Sequence, residues 1–127
     1  MSEAVLDSSA VLAMLRVEPG SETVEQIVNR SILSTVNAAE IVSKLIDRGM
    51  SENAARETVS ALPCERVDFD EDQALAAGGM RSRSRAIGLS LGDRACLALA
   101  EAKNLSVVTT DKQWKKFQST IEIRLIR

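Results

Sequence analysis

Four acidic residues lie where an α/β fold places its chemistry. Asp7 and Asp111 each follow a short apolar run typical of a β-strand. Glu40 lies within an apolar helical pattern, and Asp93 lies at the start of another one. Because ligands in such folds bind at the carboxyl ends of the strands, we expect these carboxylates to meet at one edge of the sheet. Carboxylate oxygens favour Mg²⁺ or Mn²⁺, so the set predicts metal-assisted phosphoryl chemistry.

Each acid also has a purely structural explanation. Glu40 stands three residues after Asn37, and Asp93 stands three residues after Ser90, which is the spacing of a capping box at a helix start. The other two acids could be ordinary helix caps. Taken singly, each position therefore favours a cap. Four acids without neighbouring basic side chains in the strands would repel one another, and this favours a shared cation.

The amino-acid composition excludes some classes of protein and some kinds of functional site. The 127 residues are 45% hydrophobic and 27% charged, which predicts a single globular domain over residues 1–127. Aromatic residues make up only 2%, so we expect an aliphatic core and no aromatic platform for stacking bases. The absence of histidine excludes a histidine-pair ribonuclease and argues against a zinc site. Cys64 and Cys96 are expected to be reduced and buried, and no apolar segment is long enough to span a membrane, so we predict a soluble, cytoplasmic protein.

Charge is divided unevenly along the chain. Residues 1–80 carry 6 basic and 14 acidic side chains, whereas residues 81–127 carry 10 basic and 4 acidic ones. The arginines at positions 81, 83 and 85 alternate with serines, and Arg94 directly follows Asp93. Guanidinium groups pair well with phosphate, so this basic segment is a candidate contact for a polyanion. A solvent-exposed loop that only aids solubility is the alternative.

The order of elements predicts a three-layer α/β/α fold. Strand-like runs alternate with amphipathic helical patterns, which is typical of a mostly parallel sheet, here of four or five strands, covered on both faces. A helix is predicted over Thr35 to Asp47 and is expected to end at Gly49. Ser21 is predicted to cap the second helix, and residues 64–69 are predicted to form the third strand.

Four short motifs in this order resemble those of the PIN-domain ribonucleases, and more closely those of the VapC-like toxins of bacterial and archaeal toxin-antitoxin pairs. The resemblance spans essentially the whole chain. The motifs are VLDSS at 5–9, STVNAAE at 34–40, LSLGDRACLAL at 89–99, and VTTD at 108–111 with Trp114 and Phe117 after it.

The resemblance implies a metal-dependent endoribonuclease. Asp7, Glu40 and Asp93 would be the principal acids that bind Mg²⁺ or Mn²⁺, with Asp111 as a fourth that often acts through water. Ser8 and Thr109 match hydroxyl residues that order the acidic cluster, although a turn or cap role explains a serine after a strand equally well. The implied reaction is hydrolysis of RNA by metal-activated water, with departure of the 3′ oxygen and no protein nucleophile.

The resemblance also implies partners. A VapC-like toxin receives a segment of its antitoxin in the active-site cleft, so Arg81, Arg83, Arg85 and Arg94 are candidates for contact with either RNA or antitoxin. A homodimer is expected as well. The alternative function is a catalytically silent PIN-like module for RNA binding or assembly. A receiver or a phosphatase of the Asp-x-Asp type has poor support, because Ser8 and Ser9 follow Asp7.

Overall fold

A parallel sheet forms the centre of the molecule. The computed structural model describes residues 2–127, and five strands within these residues form the sheet in the order β3-β2-β1-β4-β5. All four pairings between neighbouring strands in the described residues are parallel. The strands are β1 (Ala4–Leu6), β2 (Ser31–Ser34), β3 (Glu65–Val67), β4 (Ser106–Thr109) and β5 (Ile123–Leu125). The predicted parallel sheet of four or five strands is confirmed.

Helices connect the strands and cover the sheet. They are α1 (Ser8–Leu15), α2 (Ser21–Ile27), α3 (Thr35–Asp47), α4 (Glu52–Ser60), α5 (Glu71–Gly79), α6 (Arg81–Ser84) and α7 (Leu91–Lys103). Short 3₁₀ helices cover Val28–Arg30 and Lys112–Lys116. Within residues 2–127, every helix is too short or too polar to cross a membrane.

Two aliphatic cores lie on the two faces of the sheet. Side chains along a strand alternate between faces, so Leu6 and Val108 join the core beneath α1 to α4, while Val5 and Val107 join the core beneath α5 and α7. Trp114 is fully buried in the second core. The three-layer architecture predicted from the alternation of elements is therefore confirmed.

Local signals fixed some element boundaries well and others less well. Helix α3 covers the predicted residues, and Gly49 follows it with φ of +104°, a left-handed conformation that favours glycine. The predicted cap of α2 was wrong by one residue, because Gly20 is the N-cap and Ser21 is the first helical residue. Strand β3 is shorter than the predicted 64–69 segment.

The strand order places a crevice at the ends of β1 and β4. Strand β1 lies between β2 and β4, because the chain adds β2 and β3 on one side of β1 and then crosses back to add β4 and β5 on the other side. Such a reversal of strand order opens a crevice at the carboxyl ends of the strands, where α/β folds bind ligands. Asp7 directly follows β1, and Asp111 lies two residues beyond the end of β4.

Candidate active site

Asp7 is buried and held by neutral donors. Its side chain is 4% exposed. One oxygen, Oδ1, accepts from the backbone N of Ala10 at 2.8 Å, which makes Asp7 the N-cap of α1. The hydroxyl of Ser9 lies 2.8 and 2.9 Å from the two carboxylate oxygens, and Thr109 Oγ1 donates to Oδ2 at 2.7 Å. Burial raises the pKa of Asp7 to about 6, and the negative charge of Asp93 adds to the rise while these hydrogen bonds oppose it.

Glu40 projects from α3 towards the start of α7. Its Oε1 accepts from Ser8 Oγ at 2.5 Å and from Asn37 Nδ2 at 2.8 Å. The same Asn37 amide donates to the backbone oxygen of Gly92 at 3.1 Å, so it connects α3 with α7. A β-carbon added at Gly92 would collide with the Glu40 carboxylate. A larger residue at position 92 would therefore displace the Glu40 carboxylate from its present position.

The capping explanation for Glu40 is wrong. Ser34 is the N-cap of α3 and accepts from the backbone N of Val36. Asn37 is therefore the third residue of the helix rather than its cap, and Glu40 lies beyond the first turn. Its carboxylate contacts neighbouring elements instead of the backbone at the helix start.

Asp93 closes a capping box and also belongs to the acidic cluster. Its Oδ2 accepts from the backbone N of Ser90 at 2.9 Å, and Ser90 Oγ accepts from the backbone N of Asp93 at 3.1 Å. The structural explanation is therefore correct for this residue. Burial nevertheless raises the pKa of Asp93, the hydrogen bonds to Ser90 oppose the rise, and the charges of Glu40 and Asp111 add to it. The two roles coexist in one side chain.

Asp111 is the most exposed acid of the four. It is the N-cap of the 3₁₀ helix after β4, because its Oδ1 accepts from the backbone N of Gln113 at 2.9 Å. Its own backbone N donates to Thr109 Oγ1 at 3.0 Å. Thr109 thus links Asp111 to the buried Asp7.

Three of the acids share one arrangement. In Glu40, Asp93 and Asp111, one carboxylate oxygen accepts hydrogen bonds, and the other accepts none from residues 2–127. None of the four acids forms an ion pair with a basic side chain in this part of the chain. Neutral hydroxyl and amide groups orient the carboxylates and leave their negative charge uncompensated.

This donor set suits a divalent cation that keeps part of its water shell. Within the described residues, no three acidic, histidine or cysteine side chains are close enough to one another to bind an ion together. Mg²⁺ commonly binds through one or two carboxylates and retains several waters, so it does not need such a closed cage. The residues that could bind it directly or through water are Asp7, Glu40, Asp93 and Asp111.

Each of the two hydroxyl residues that the sequence singled out forms a hydrogen bond with one of the acids. Ser8 donates to Glu40, and Thr109 donates to Asp7. Sequence reasoning missed Ser9, Asn37 and Gly92. The one available signal was at Gly92, because a glycine within a helix usually has a packing reason.

The basic segment is divided between paired and unpaired arginines. Arg83 forms a salt bridge with Glu101 at 3.0 Å and lies 5.0 Å from the centroid of the Phe117 ring. Arg94 donates to the backbone oxygen of Ala77 at 3.1 Å. Both side chains connect helices of the protein itself. Arg81 and Arg85 are exposed, and their side chains form no hydrogen bond with residues 2–127.

Comparisons with known proteins agree with this fold. No curated protein matches the chain. The fold is similar to that of a DNA-bound VapBC from Salmonella typhimurium, with a TM-score of 0.71 and 18% identity over 98% of this chain and 97% of that one. It is also similar to FitAcB from Neisseria gonorrhoeae (TM-score 0.72, 19% identity, 95% and 96% covered) and to VapBC-5 from Mycobacterium tuberculosis (0.68, 21%, 100% and 99%). At these identities the likeness concerns the fold alone. A family model for the PIN domain matches residues 4–119, and because this match covers most of the sequence, the chain belongs to the PIN domain family, a family of nucleases.

Proposed function

We propose that the protein is an endoribonuclease that depends on Mg²⁺ or Mn²⁺ and acts as the toxin of a toxin-antitoxin pair. One observation carries the catalytic part of the proposal. Glu40, Asp93 and Asp111 are each anchored through one oxygen, present the other, and have no cationic partner within residues 2–127. A structural role alone would not require three such acids around one crevice.

Polar side chains of the protein would hold the catalytic carboxylates in position for the reaction. Ser9 and Thr109 fix both oxygens of Asp7, and Ser8 and Asn37 fix Glu40, so the carboxylates keep their positions without reorganisation. A bound divalent cation would supply activated water and would neutralise charge on the scissile phosphate. The choice of RNA as substrate rests on the resemblance of the four motifs to those of VapC-like ribonucleases.

The toxin role rests on the structural neighbours. Those from Salmonella typhimurium and Klebsiella pneumoniae are a VapBC and a toxin-antitoxin complex. We propose by analogy that this chain binds a cognate antitoxin at its active-site cleft and forms a homodimer. Expression of the chain alone should slow the growth of a bacterial host, and co-expression of a small protein encoded beside it should restore growth. Unimpaired growth at a high level of folded protein would contradict the toxin role.

Cleavage of RNA by the purified protein tests the catalytic proposal. The wild-type chain should cut total cellular RNA with Mg²⁺ or Mn²⁺, and Asp7→Asn and Asp93→Asn should each abolish cutting while the circular dichroism spectrum is unchanged. Asp70→Asn is a matched control, because Asp70 caps α5 through Gln73 and belongs to none of the contacts at the crevice. A single-stranded DNA with the sequence of one RNA that is cut would serve as the test of preference for RNA.

Two results would contradict the catalytic proposal. Full activity in both active-site variants would exclude a role for the acids, and full activity in excess chelator would exclude the metal. RNA binding without cutting under any metal condition would favour the alternative of a catalytically silent PIN-like module.

A further inference from the structure

A groove on the protein surface lies beside the acid site. This groove, between α1 and α3, is lined on the α1 side by Ser9, Leu12 and Arg16. The α3 side contributes Lys44, Asp47 and Arg48, and Glu18 and Arg127 complete the lining. Ser9 is shared with the acid site, since its hydroxyl contacts both oxygens of Asp7. One end of the groove therefore reaches Ser9, which contacts Asp7, and the groove runs from there along the two helices.

Helical spacing aligns the acid of α3 with two basic residues. Glu40, Lys44 and Arg48 are four residues apart, which places them in a row on one face of a helix. At about 1.5 Å per residue, this row is about 12 Å long. On α1, Arg16 follows Ser9 by two turns and so faces the same groove. The negative charge near one end of the groove is thus followed by three positive charges along its walls, where Asp47 is an acid without an ion pair in residues 2–127.

Three basic side chains of these walls, those of Arg16, Lys44 and Arg48, have no ion-pair partner within residues 2–127. Lys44 and Arg48 are exposed, and their side chains form neither a hydrogen bond nor an ion pair within residues 2–127. The Nη2 atom of Arg16 is buried and has no hydrogen-bond partner in that same part of the chain. A buried guanidinium nitrogen without an acceptor is costly, and a rotation of the Arg16 side chain that brings this atom to an oxygen ligand in the groove would remove that cost. Arg127, by contrast, is paired with Glu18 at 3.3 Å.

Helix ends offer a simpler explanation for basic residues at these positions. Arg16 and Arg48 are the C-caps of α1 and α3, where positive charge interacts favourably with the helix dipole. The helix dipole favours a basic residue equally on every side of the last turn. It does not account for three cations that all line the groove starting at Ser9.

We propose that this groove, lined by Arg16, Lys44 and Arg48, binds the sugar-phosphate backbone of the RNA strand next to the phosphate that is cut. The inference rests on the proposed nuclease function and specifies where its substrate lies. A polyanion approaching four uncompensated carboxylates is repelled unless nearby cations offset their field. The three basic side chains supply that compensation on the path to the acids. Of the arginines predicted to contact RNA, Arg83 and Arg94 already bind within the protein.

Binding of RNA without metal separates this inference from catalysis. A fluorescent single-stranded RNA is titrated with protein in excess EDTA at several salt concentrations, and its intact length is checked afterwards on a gel. The groove variant is Lys44→Gln with Arg48→Gln. The matched control is Lys103→Gln with Lys116→Gln, which removes the same charge from two exposed lysines that lie outside the groove and have no ion pair within residues 2–127.

The groove variant should bind RNA about tenfold more weakly at low salt, with a slope of log K against log salt that is shallower by about 1.4, because each lost phosphate contact on a single strand contributes about 0.7. The control should stay within about twofold of the wild type. Equal losses in both variants, a loss in the control alone, or no binding of RNA by the wild type would overturn the inference. Loss of binding to a fluorescent decaglutamate peptide with RNA binding unchanged would assign the groove to an acidic protein segment instead, and would also overturn it.

The outcomes for the two proposals can be told apart. Weakened RNA binding by the groove variant, in a protein that never cuts RNA, would support the groove and contradict the nuclease function. Metal-dependent cutting that requires Asp93, together with unchanged RNA binding by the groove variant, would support the nuclease and contradict the groove.

Discussion

Charge is handled in opposite ways in two regions of this molecule. At the carboxyl ends of β1 and β4, the acids are oriented by neutral hydroxyl and amide donors and have no basic partner within residues 2–127. Beside α7, Arg83 and Glu101 are joined by a salt bridge, Ser119 Oγ donates to Glu101 at 2.7 Å, and the guanidinium lies over Phe117. The second region satisfies its charges internally, and the first leaves them available.

The contrast distinguishes charges that hold the fold from charges that can bind a ligand. Burial raises the pKa of Asp7, whereas the hydrogen bond from Arg83 lowers the pKa of Glu101. An acid with a raised pKa weakens the fold when it ionises, and an acid with a lowered pKa strengthens it. The crevice is therefore maintained at a cost in stability, which is expected where a site serves binding rather than folding.

Among the groups that orient the acids, the largest effect is expected at Gly92. Gly92→Ala should reduce RNA cleavage by about 100-fold, because the added methyl group displaces the Glu40 carboxylate and a displacement of about 1 Å at a reacting group has that cost. The measurement is the cleavage rate at saturating metal. Gly78→Ala is the matched control, since nothing lies within 4 Å of a β-carbon at that helical position. The control should keep its activity and gain about 0.5–1 kcal/mol of stability. Equal activities of the two variants would contradict the close contact.

The effect expected on stability at Asp7 is smaller, and it is a gain rather than a loss. Because the folded pKa is about 6 against 3.8 for the ordinary group, the stability of the metal-free protein falls as pH rises between these values. Asp7→Asn has no such loss, so from pH 4 to pH 7.5 its stability relative to the wild type should improve by on the order of 2 kcal/mol. Urea unfolding at both pH values measures this change. A difference between variant and wild type that is independent of pH would contradict the raised pKa, and saturating Mn²⁺ should shrink the advantage of the variant at pH 7.5.

The smallest effect is expected at the salt bridge between Arg83 and Glu101 beside α7. Glu101→Gln should lower stability at pH 7 by up to about 1 kcal/mol, because the pair is partly exposed. The pKa of Glu101 is lowered from 4.5, so its contribution is present above that pH and is lost as the pH falls through the folded pKa. The difference from wild type in urea unfolding should therefore shrink in acid. Glu52→Gln, which breaks an exposed pair with Arg56, should change stability by only a few tenths of a kcal/mol at either pH. A loss at Glu101 no larger than that at Glu52 would contradict a structural role for the salt bridge between Arg83 and Glu101.

Local sequence signals were sufficient for most of the fold. The bounds of α3 follow from its apolar spacing and from Gly49, and the capping box of α7 follows from Ser90 and Asp93. Both signals lie within a few residues of the feature that they predict. The parallel sheet follows from the alternation of strands and helices.

Contacts between distant residues were not predictable in the same way. Asn37 meets Gly92 across 55 positions, and Ser9 meets Thr110 across 101 positions. The pairing of Arg83 with Glu101 depends on how α6 packs near α7. Because the sequence does not show this packing, all three arginines of the Arg-Ser segment were predicted to be available for ligands. The positions of Asp7 and Asp111 after strands were predictable, whereas the groups that orient the acids depend on tertiary packing.

Binding of Mn²⁺ tests the central claim most directly, namely that the unpaired acids bind a divalent cation, either directly or through water. Calorimetric titration of the purified protein should give a Kd at least tenfold lower for the wild type than for Asp93→Asn, while Glu101→Gln should bind as the wild type does. Equal affinities of the wild type and Asp93→Asn would contradict the account.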